Sequence, residues 1–157
     1  RWDTGSLDSP GSEWKVLSTL TAFELLEHTA DVGVAAIGET LADALAWLAK
    51  GMFSVIAALN AVVARDTMHV SLTSSDRGAL AVDWLNELLF RYEAEGFLPR
   101  GFHVTVNEAG TALDAVCVGE SGDPDQHPMW SVVKAATYHA LEVSHNGEWS
   151  IQVVLDI

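Results

Sequence analysis

Basic residues are scarce in this chain, and their scarcity limits the partners that it can bind. Of its 157 residues only 8 are Lys or Arg, against 22 Asp and Glu, which gives a formal net charge of −14. Proteins grip nucleic-acid backbones with Lys and Arg side chains. We therefore expect no direct binding of nucleic acid, and we expect a cation or a basic protein as the counterpart of this charge.

Cysteine and long apolar runs are scarce as well. Cys117 is the only cysteine, so it has no internal disulfide partner, and its apolar neighbours predict a buried thiol in a reducing cytosol. The most apolar region, residues 41–59, contains Asp43, Lys50 and Gly51 and is too short to span a bilayer. The first residues lack the pattern of a signal peptide. These absences predict a cytoplasmic protein without a membrane partner.

Sequence motifs of classical catalysis are missing too. No serine lies in a Gly-x-Ser-x-Gly turn, no glycine-rich phosphate loop occurs, and Cys117 has no activating neighbours in the sequence. One cysteine and scattered histidines also lack the ligand spacing of a zinc site. The sequence therefore does not support classical hydrolase, nucleotide-binding or zinc chemistry.

The patterns that are present predict one α+β domain. Residues 1–21 are rich in Ser, Gly, Asp and Thr without periodicity, which predicts a flexible N-terminal tail before a single domain at 22–157. Apolar residues at helical spacing predict two helices, the first with Thr40 as its N-cap and the second after residues 74–76. Strand patterns predict two strands before the first helix, one between the helices and an antiparallel meander of four after the second. This order favours two helices packed on one face of a mixed or mostly antiparallel β-sheet.

Two aspartates, Asp31 and Asp156, lie beside apolar, strand-forming residues, where a charge is unfavourable unless it has a partner. Asp156 precedes Ile157, where the sequence ends, so both side chains and the terminal carboxylate of Ile157 would form an oxygen-rich pocket for Ca²⁺, Mg²⁺ or Mn²⁺. The alternative for Asp31 is a turn aspartate that accepts hydrogen bonds from nearby backbone N–H groups. The convergence of Asp31 and Asp156 on one divalent-cation pocket is the central prediction.

Four further residues are candidates for roles around this pocket. Lys134 would lie at its rim, with its ammonium near carboxylates and a phosphate-bearing ligand; the alternative is an exposed lysine at a strand edge. His28 and His139 would orient a nearby carboxylate by hydrogen bonding, or they are ordinary core or surface histidines. Glu87 would contact a partner, or it belongs to the solvated face of a helix.

Four segments of the sequence carry a family resemblance. They are Glu-His-Thr-Ala-Asp-Val-Gly at 27–33, Trp-Leu-Asn-Glu-Leu-Leu at 84–89, Lys-Ala-Ala-Thr-Tyr-His at 134–139 and Leu-Asp-Ile at 155–157. In order and spacing these segments resemble the archease family, over the chain from about residue 23 to residue 157. Val133 and Ala136 stand at two apolar positions where the family pattern often has other residues, and this difference puts none of the proposed chemistry in doubt.

The resemblance implies a function. Archeases are small acidic accessory proteins of the GTP- and Mn²⁺-dependent RNA ligase that joins tRNA exons and repairs RNA ends. They promote guanylylation of the ligase's active-site histidine, allow multiple turnover and broaden nucleotide use. The family's metal-binding and function-critical positions correspond in this sequence to Asp31, Lys134 and Asp156.

From this resemblance we expect an activator of an RNA ligase rather than an enzyme, with a divalent metal ion (Ca²⁺, or Mg²⁺ or Mn²⁺) as its cofactor and the GTP-dependent ligase as its partner. The oligomeric state is left open by the sequence. The competing classes are a free-standing metal-dependent enzyme and a chaperone-like binding module.

Overall fold

Eight strands and two helices make up the fold in a computed structural model, which describes residues 15–18, 23–28 and 31–157. Within these residues the strands are β1 (Lys15–Ser18), β2 (Phe23–His28), β3 (Asp31–Gly38), β4 (Asp66–Thr73), β5 (Phe97–Val106), β6 (Ala112–Ser121), β7 (Ala135–Asn146) and β8 (Glu148–Asp156). The helices are α1 (Leu41–Ile56) and α2 (Arg77–Glu95), and a short 3-10 helix covers Leu59–Ala61.

This order confirms the predicted α+β class, with two helices and antiparallel strands. The strands form two sheets rather than one, a five-stranded sheet of order β1-β2-β3-β8-β7 and a three-stranded sheet of order β4-β6-β5. The reason lies in α1, whose buried residues surround much of its circumference. A helix of this kind needs cover on more than one side, and α1 packs against β3 of the large sheet and β5 of the small one.

The predicted tail is described only in part. Lys15–Ser18, inside that stretch, form β1 and pair with β2. Residues 1–14 and 19–22 lie outside the described part of the chain, so for them the tail stays a prediction.

The first helix begins at its predicted cap, Thr40, and the second begins directly after residues 74–76, as predicted. The Thr40 hydroxyl accepts a hydrogen bond from the Asp43 N–H at 3.0 Å, and the Asp76 carboxylate accepts one from the Ala79 N–H at 2.8 Å. These bonds satisfy N–H groups that a helix leaves without partners at its N-terminus. Within the described ranges, neither helix combines the length and hydropathy that crossing a membrane requires.

Alternation along β3 and β8 places the candidate residues. Val32 and Val34 of β3, with Val153 and Leu155 of β8, belong to the hydrophobic core between the sheets and helices. Because successive side chains of a strand point to opposite faces, Asp31 and Asp156 project from the face that points away from α1. The core therefore fixes where the two carboxylates can be.

Candidate metal centre

The two predicted aspartates lie side by side in the five-stranded sheet. β3 and β8 are neighbours, and their antiparallel register pairs Asp31 directly with Asp156. Opposed residues of such a pair have Cα atoms about 4.5–5.5 Å apart and project from the same face. Two residues far apart in the sequence are thus brought together by strand pairing.

The register that brings them together is set by the apolar residues that follow Asp31 and precede Asp156. Val32 faces Leu155 and Val34 faces Val153, and all four side chains are buried. A slip of one residue would turn one strand's apolar side chains out of the core and a carboxylate into it, which is strongly unfavourable. The hydrophobic pattern of the two strands therefore positions the polar pair.

Lys134 lies at the same end of the sheet, directly before β7, which pairs with β8 on the side opposite β3. Ala135 lies opposite Asp156, and the Lys134 backbone N–H donates a hydrogen bond of 2.7 Å to the Asp156 carbonyl oxygen. The Lys134 side chain is exposed, and no salt bridge within the described part of the chain engages its ammonium. The backbone of Lys134 is therefore fixed beside Asp156, while its side chain is exposed.

The carboxylates themselves are partly exposed and carry like charge. Among the side chains that the structure describes, those of residues 23–25 and 31–157, no salt bridge joins Asp31 or Asp156 to a basic group. Like charges directly opposite on two strands destabilise the pair, by on the order of 0.2–1 kcal/mol. A divalent cation between them would replace this repulsion with attraction.

The oxygen ligands at this site suit a hard cation that takes only part of its coordination shell from the protein. Among the described residues, no group of three or more His, Cys, Asp or Glu side chains is arranged to hold a metal ion. Mg²⁺ is commonly held by only one or two protein carboxylates, with water and substrate phosphates as its other ligands. Asp31 and Asp156, with main-chain oxygens of the partly exposed Ile157 nearby in sequence, fit that mode of binding and not an all-protein cage.

The other predicted residues are placed less favourably. His28 is opposite Asp31 in the β2–β3 register, but its side chain lies outside the described part of the structure. His139 is exposed and lies roughly 13 Å along β7 from Ala135, so the structure does not bring it to the aspartates. Glu87 forms a salt bridge of 2.8 Å with Arg91 on the same helix, and its contact with a partner stays a prediction.

Sequence reasoning misses Asn86, which supports this site from α2. The Asn86 side chain accepts a hydrogen bond of 2.8 Å from the Ala136 N–H and donates one of 3.1 Å to the Ala136 carbonyl oxygen. β7 is the end strand of its sheet, so this amide supplies the partners that a further strand would otherwise provide. An Asn among the apolar residues of a helix is the signal that could have found it.

A second polar cluster, around Glu120, is structural. One Glu120 oxygen accepts hydrogen bonds from the Val63 N–H at 2.9 Å and the His127 Nε2–H at 2.8 Å, and the other pairs with Arg65 at 3.0 Å. The bond from Val63, followed by the bond from His127, lowers the pKa of Glu120 although burial acts in the opposite direction. The Asp123 N–H donates to His127 Nδ1, so both ring nitrogens have partners. The cluster ties a loop to β6.

Cys117 is buried, as its apolar neighbours predicted. Burial raises the pKa of its thiol to about 12, with a smaller opposing effect of Arg91. Because the thiolate is the reactive form of cysteine, this thiol is inert at neutral pH. Cys117 therefore does not compete with the aspartate pair as a candidate site.

Fold and site together define a class: a small acidic α+β protein in which two opposed strand aspartates and an exposed lysine meet at the end of one sheet. The Archease protein family matches residues 23–157 of the chain. The archease of Methanosarcina acetivorans is 38% identical over 139 residues, which cover 86% of this chain and 95% of that protein. The archease of Methanopyrus kandleri is 36% identical over 138 residues, which cover 86% of this chain and 99% of that protein.

A solved structure agrees with the sequence relatives. The solution structure of Methanobacterium thermoautotrophicum protein 1598 matches with a TM-score of 0.72 and 31% sequence identity, over 87% of this chain and 99% of that one. This chain belongs to the archease family, as its four sequence segments predicted.

Proposed function

We propose that the protein activates a GTP- and Mn²⁺-dependent RNA ligase, promotes guanylylation of the ligase's active-site histidine and allows multiple turnover. Membership of the archease family supports an accessory role in RNA processing. In this proposal the protein acts in the cytoplasm and does not bind RNA directly, because its net charge of −14 repels phosphate backbones.

The observation that carries the proposal is the register of Asp31 with Asp156, beside the anchored backbone of Lys134. The aspartates would hold a Ca²⁺, Mg²⁺ or Mn²⁺ ion, and a bound ion would supply positive charge for phosphate oxygens. The two side chains leave part of the shell to other ligands, which a nucleotide on the ligase can supply. The pair is therefore suited to an ion shared between two proteins.

Lys134 has a separate part in the proposal. Its exposed ammonium extends from a backbone that is hydrogen-bonded to Asp156, so it can contact a nucleotide phosphate or a carboxylate of the ligase. Lysine is a common phosphate ligand that acts as a point charge. We propose that it orients the ligand while the aspartates hold the ion.

The test is a multiple-turnover assay with a cognate GTP-dependent RNA ligase. Wild-type protein should raise the number of joined RNA ends per ligase, whereas Asp31→Ala and Asp156→Ala should abolish this stimulation and Lys134→Ala should reduce it strongly. Asp66→Ala removes an exposed strand aspartate of the other sheet and should stimulate like wild type. Stimulation at the wild-type level by both Asp31→Ala and Asp156→Ala would refute the proposal, provided that circular dichroism shows all variants to be folded.

The competing classes are separated by omitting the ligase. Turnover of GTP by the pure protein with Mn²⁺ would indicate a free-standing enzyme. Suppression of aggregation of unrelated proteins would indicate a general chaperone. The proposal predicts neither outcome and requires the ligase for any effect.

A further inference from the structure

The three most exposed of the large apolar side chains in the described residues lie on segments that adjoin the candidate metal centre. Phe90 on α2 is 60% exposed, and Trp130 and Val132 in the loop before β7 are 63% and 75% exposed. We call these three residues the apolar ridge. Single exposed apolar residues are common on proteins, but a group with two aromatic members is typical of an interaction surface.

Two contacts hold α2 against the segment that carries Trp130 and Val132. Asn86 of α2 is hydrogen-bonded to Ala136 of β7, and Tyr92 Oη of α2 lies 3.9 Å from Met129 Sδ. Phe90 lies between Asn86 and Tyr92 on the helix, and it is one turn from Asn86 on the same face. From the Asn86 contact, Phe90 would lie one helical turn further along the same segment, residues 129–136, which contains Trp130, Val132 and Lys134.

The backbone of this segment is held at both ends, so the exposed side chains are not those of a loose loop. The Trp130 N–H donates to the Ile56 carbonyl oxygen at 2.8 Å, and the Ala58 N–H donates to the Pro128 carbonyl oxygen at 3.1 Å. At the other end Val133 is buried, and the Lys134 N–H is bonded to Asp156. The fold thus leaves Trp130 and Val132 exposed on a fixed backbone, although burial of apolar side chains is favourable.

The charge of the molecule restricts what can cover the ridge. A second copy would also carry a net charge of −14, and anionic lipid surfaces or nucleic acids would be repelled in the same way. The fitting occupant is a protein whose contact surface has an apolar centre and basic residues around it.

We propose that the apolar ridge is the docking surface for such a basic protein partner. The identity of that partner as the RNA ligase rests on the proposed function. Lys134 follows Val132 by two residues, and its backbone is hydrogen-bonded to Asp156. A protein docked on the ridge would therefore lie close to the ion-binding carboxylates and could bring its own active site to them. The ridge would supply affinity, and the aspartates and Lys134 would supply the stimulation.

The test separates affinity from stimulation by titrating the protein into a multiple-turnover assay of the cognate ligase. In the double variant Trp130→Ser with Val132→Ser, the concentration for half-maximal stimulation should rise by at least about tenfold, because loss of interface hot spots commonly has effects of that size. The plateau should stay at the wild-type level, since the aspartates and Lys134 are untouched. Val63→Ser, at an exposed valine outside the ridge (50% exposed), is the matched control and should leave both values unchanged.

Each other outcome overturns a defined part of the proposal. An unchanged half-maximal concentration in the double variant would overturn the docking surface and leave the proposed function standing. A lowered plateau at unchanged half-maximal concentration would also overturn it, because the ridge would then act in stimulation and not in docking. No stimulation by wild-type protein would overturn the proposed function and, with it, the identity of the occupant. A wild-type dimer that the double variant dissociates, with stimulation unchanged, would assign the ridge to a second copy.

Discussion

Asn86 shows how one residue can hold a functional segment in place. Its two hydrogen bonds with Ala136 fix β7 to α2 two residues beyond Lys134. Without this amide, the N–H and C=O of Ala136 would lose partners in a partly buried position, which costs more than the bonds themselves contribute.

Replacing Asn86 by Ala should therefore lower the free energy of unfolding by about 1–3 kcal/mol, measured by urea denaturation. It should also weaken ligase stimulation, because the backbone that carries Lys134 is no longer held from the helix side. Asn60→Ala, at an exposed position of the 3-10 helix, is the control and should change stability by less than about 0.5 kcal/mol. Equal stability of the two variants would show that the Asn86 bonds contribute nothing.

At the scale of the elements, α1 depends on a close approach to the large sheet. A Cβ atom added at Gly51 would lie 2.6 Å from Val34 Cγ1 and 3.2 Å from the Phe23 ring. Val34 is a buried, β-branched residue of β3 and cannot rotate away easily. Glycine in the middle of this helix is therefore explained by packing.

The pair Gly51→Ala and Gly78→Ala tests this explanation. Gly51→Ala, in the helix interior, gains helix propensity of about 1 kcal/mol, but overpacking of about 1–3 kcal/mol should outweigh this gain. Gly78 lies in the first turn of α2, so the gain from Gly78→Ala is smaller. At Gly78 the added Cβ meets the end of the Leu141 side chain, at 2.9 Å from Cδ2, which can shift to another rotamer. We expect a lower thermal midpoint for Gly51→Ala and an unchanged or higher one for Gly78→Ala. The reverse order would contradict the close packing of α1 on β3.

Sequence patterns predict the elements well where local physics decides them. The caps at Thr40 and Asp76 and the apolar periodicity of both helices are local features, and both helices form where they indicate. The end of α1 is not local: the apolar periodicity continues to Leu59, but the helix ends at Ile56. There Ala57 forms a bridge with Met129, and the chain turns towards that loop.

At the candidate site, too, some features are encoded locally and others depend on distant contacts. Asp31 and Asp156 are noticeable because each interrupts an apolar strand pattern, and the neighbouring apolar residues determine the register that pairs them. The division of the strands into two sheets and the bonds of Asn86 depend on contacts between distant segments, which no local pattern encodes. His139 is a candidate only because it follows Lys134 closely in the sequence. The register of β7 is irregular after Thr137, and His139 lies further along this strand from the aspartates.

At the scale of the whole molecule, the defining property is an acidic surface that attracts cations. The net charge of −14 raises the local concentration of cations around the entire surface, so weak and non-specific binding is expected everywhere. What distinguishes one site is the pairing of β3 with β8, which holds two carboxylates at adjacent positions. A matched control must therefore remove one negative charge elsewhere on the surface.

The most direct measurement is isothermal titration calorimetry of Mn²⁺ into the wild-type protein and the variants Asp31→Asn, Asp156→Asn and Asp66→Asn. Each variant loses one negative charge, but only the first two alter the opposed pair. We predict one specific ion for wild type and Asp66→Asn, and an affinity at least about tenfold weaker for Asp31→Asn and Asp156→Asn, a loss of about 1.4 kcal/mol or more. Equal affinity in all four proteins would contradict the proposed metal centre, because the ion would then bind somewhere other than between Asp31 and Asp156.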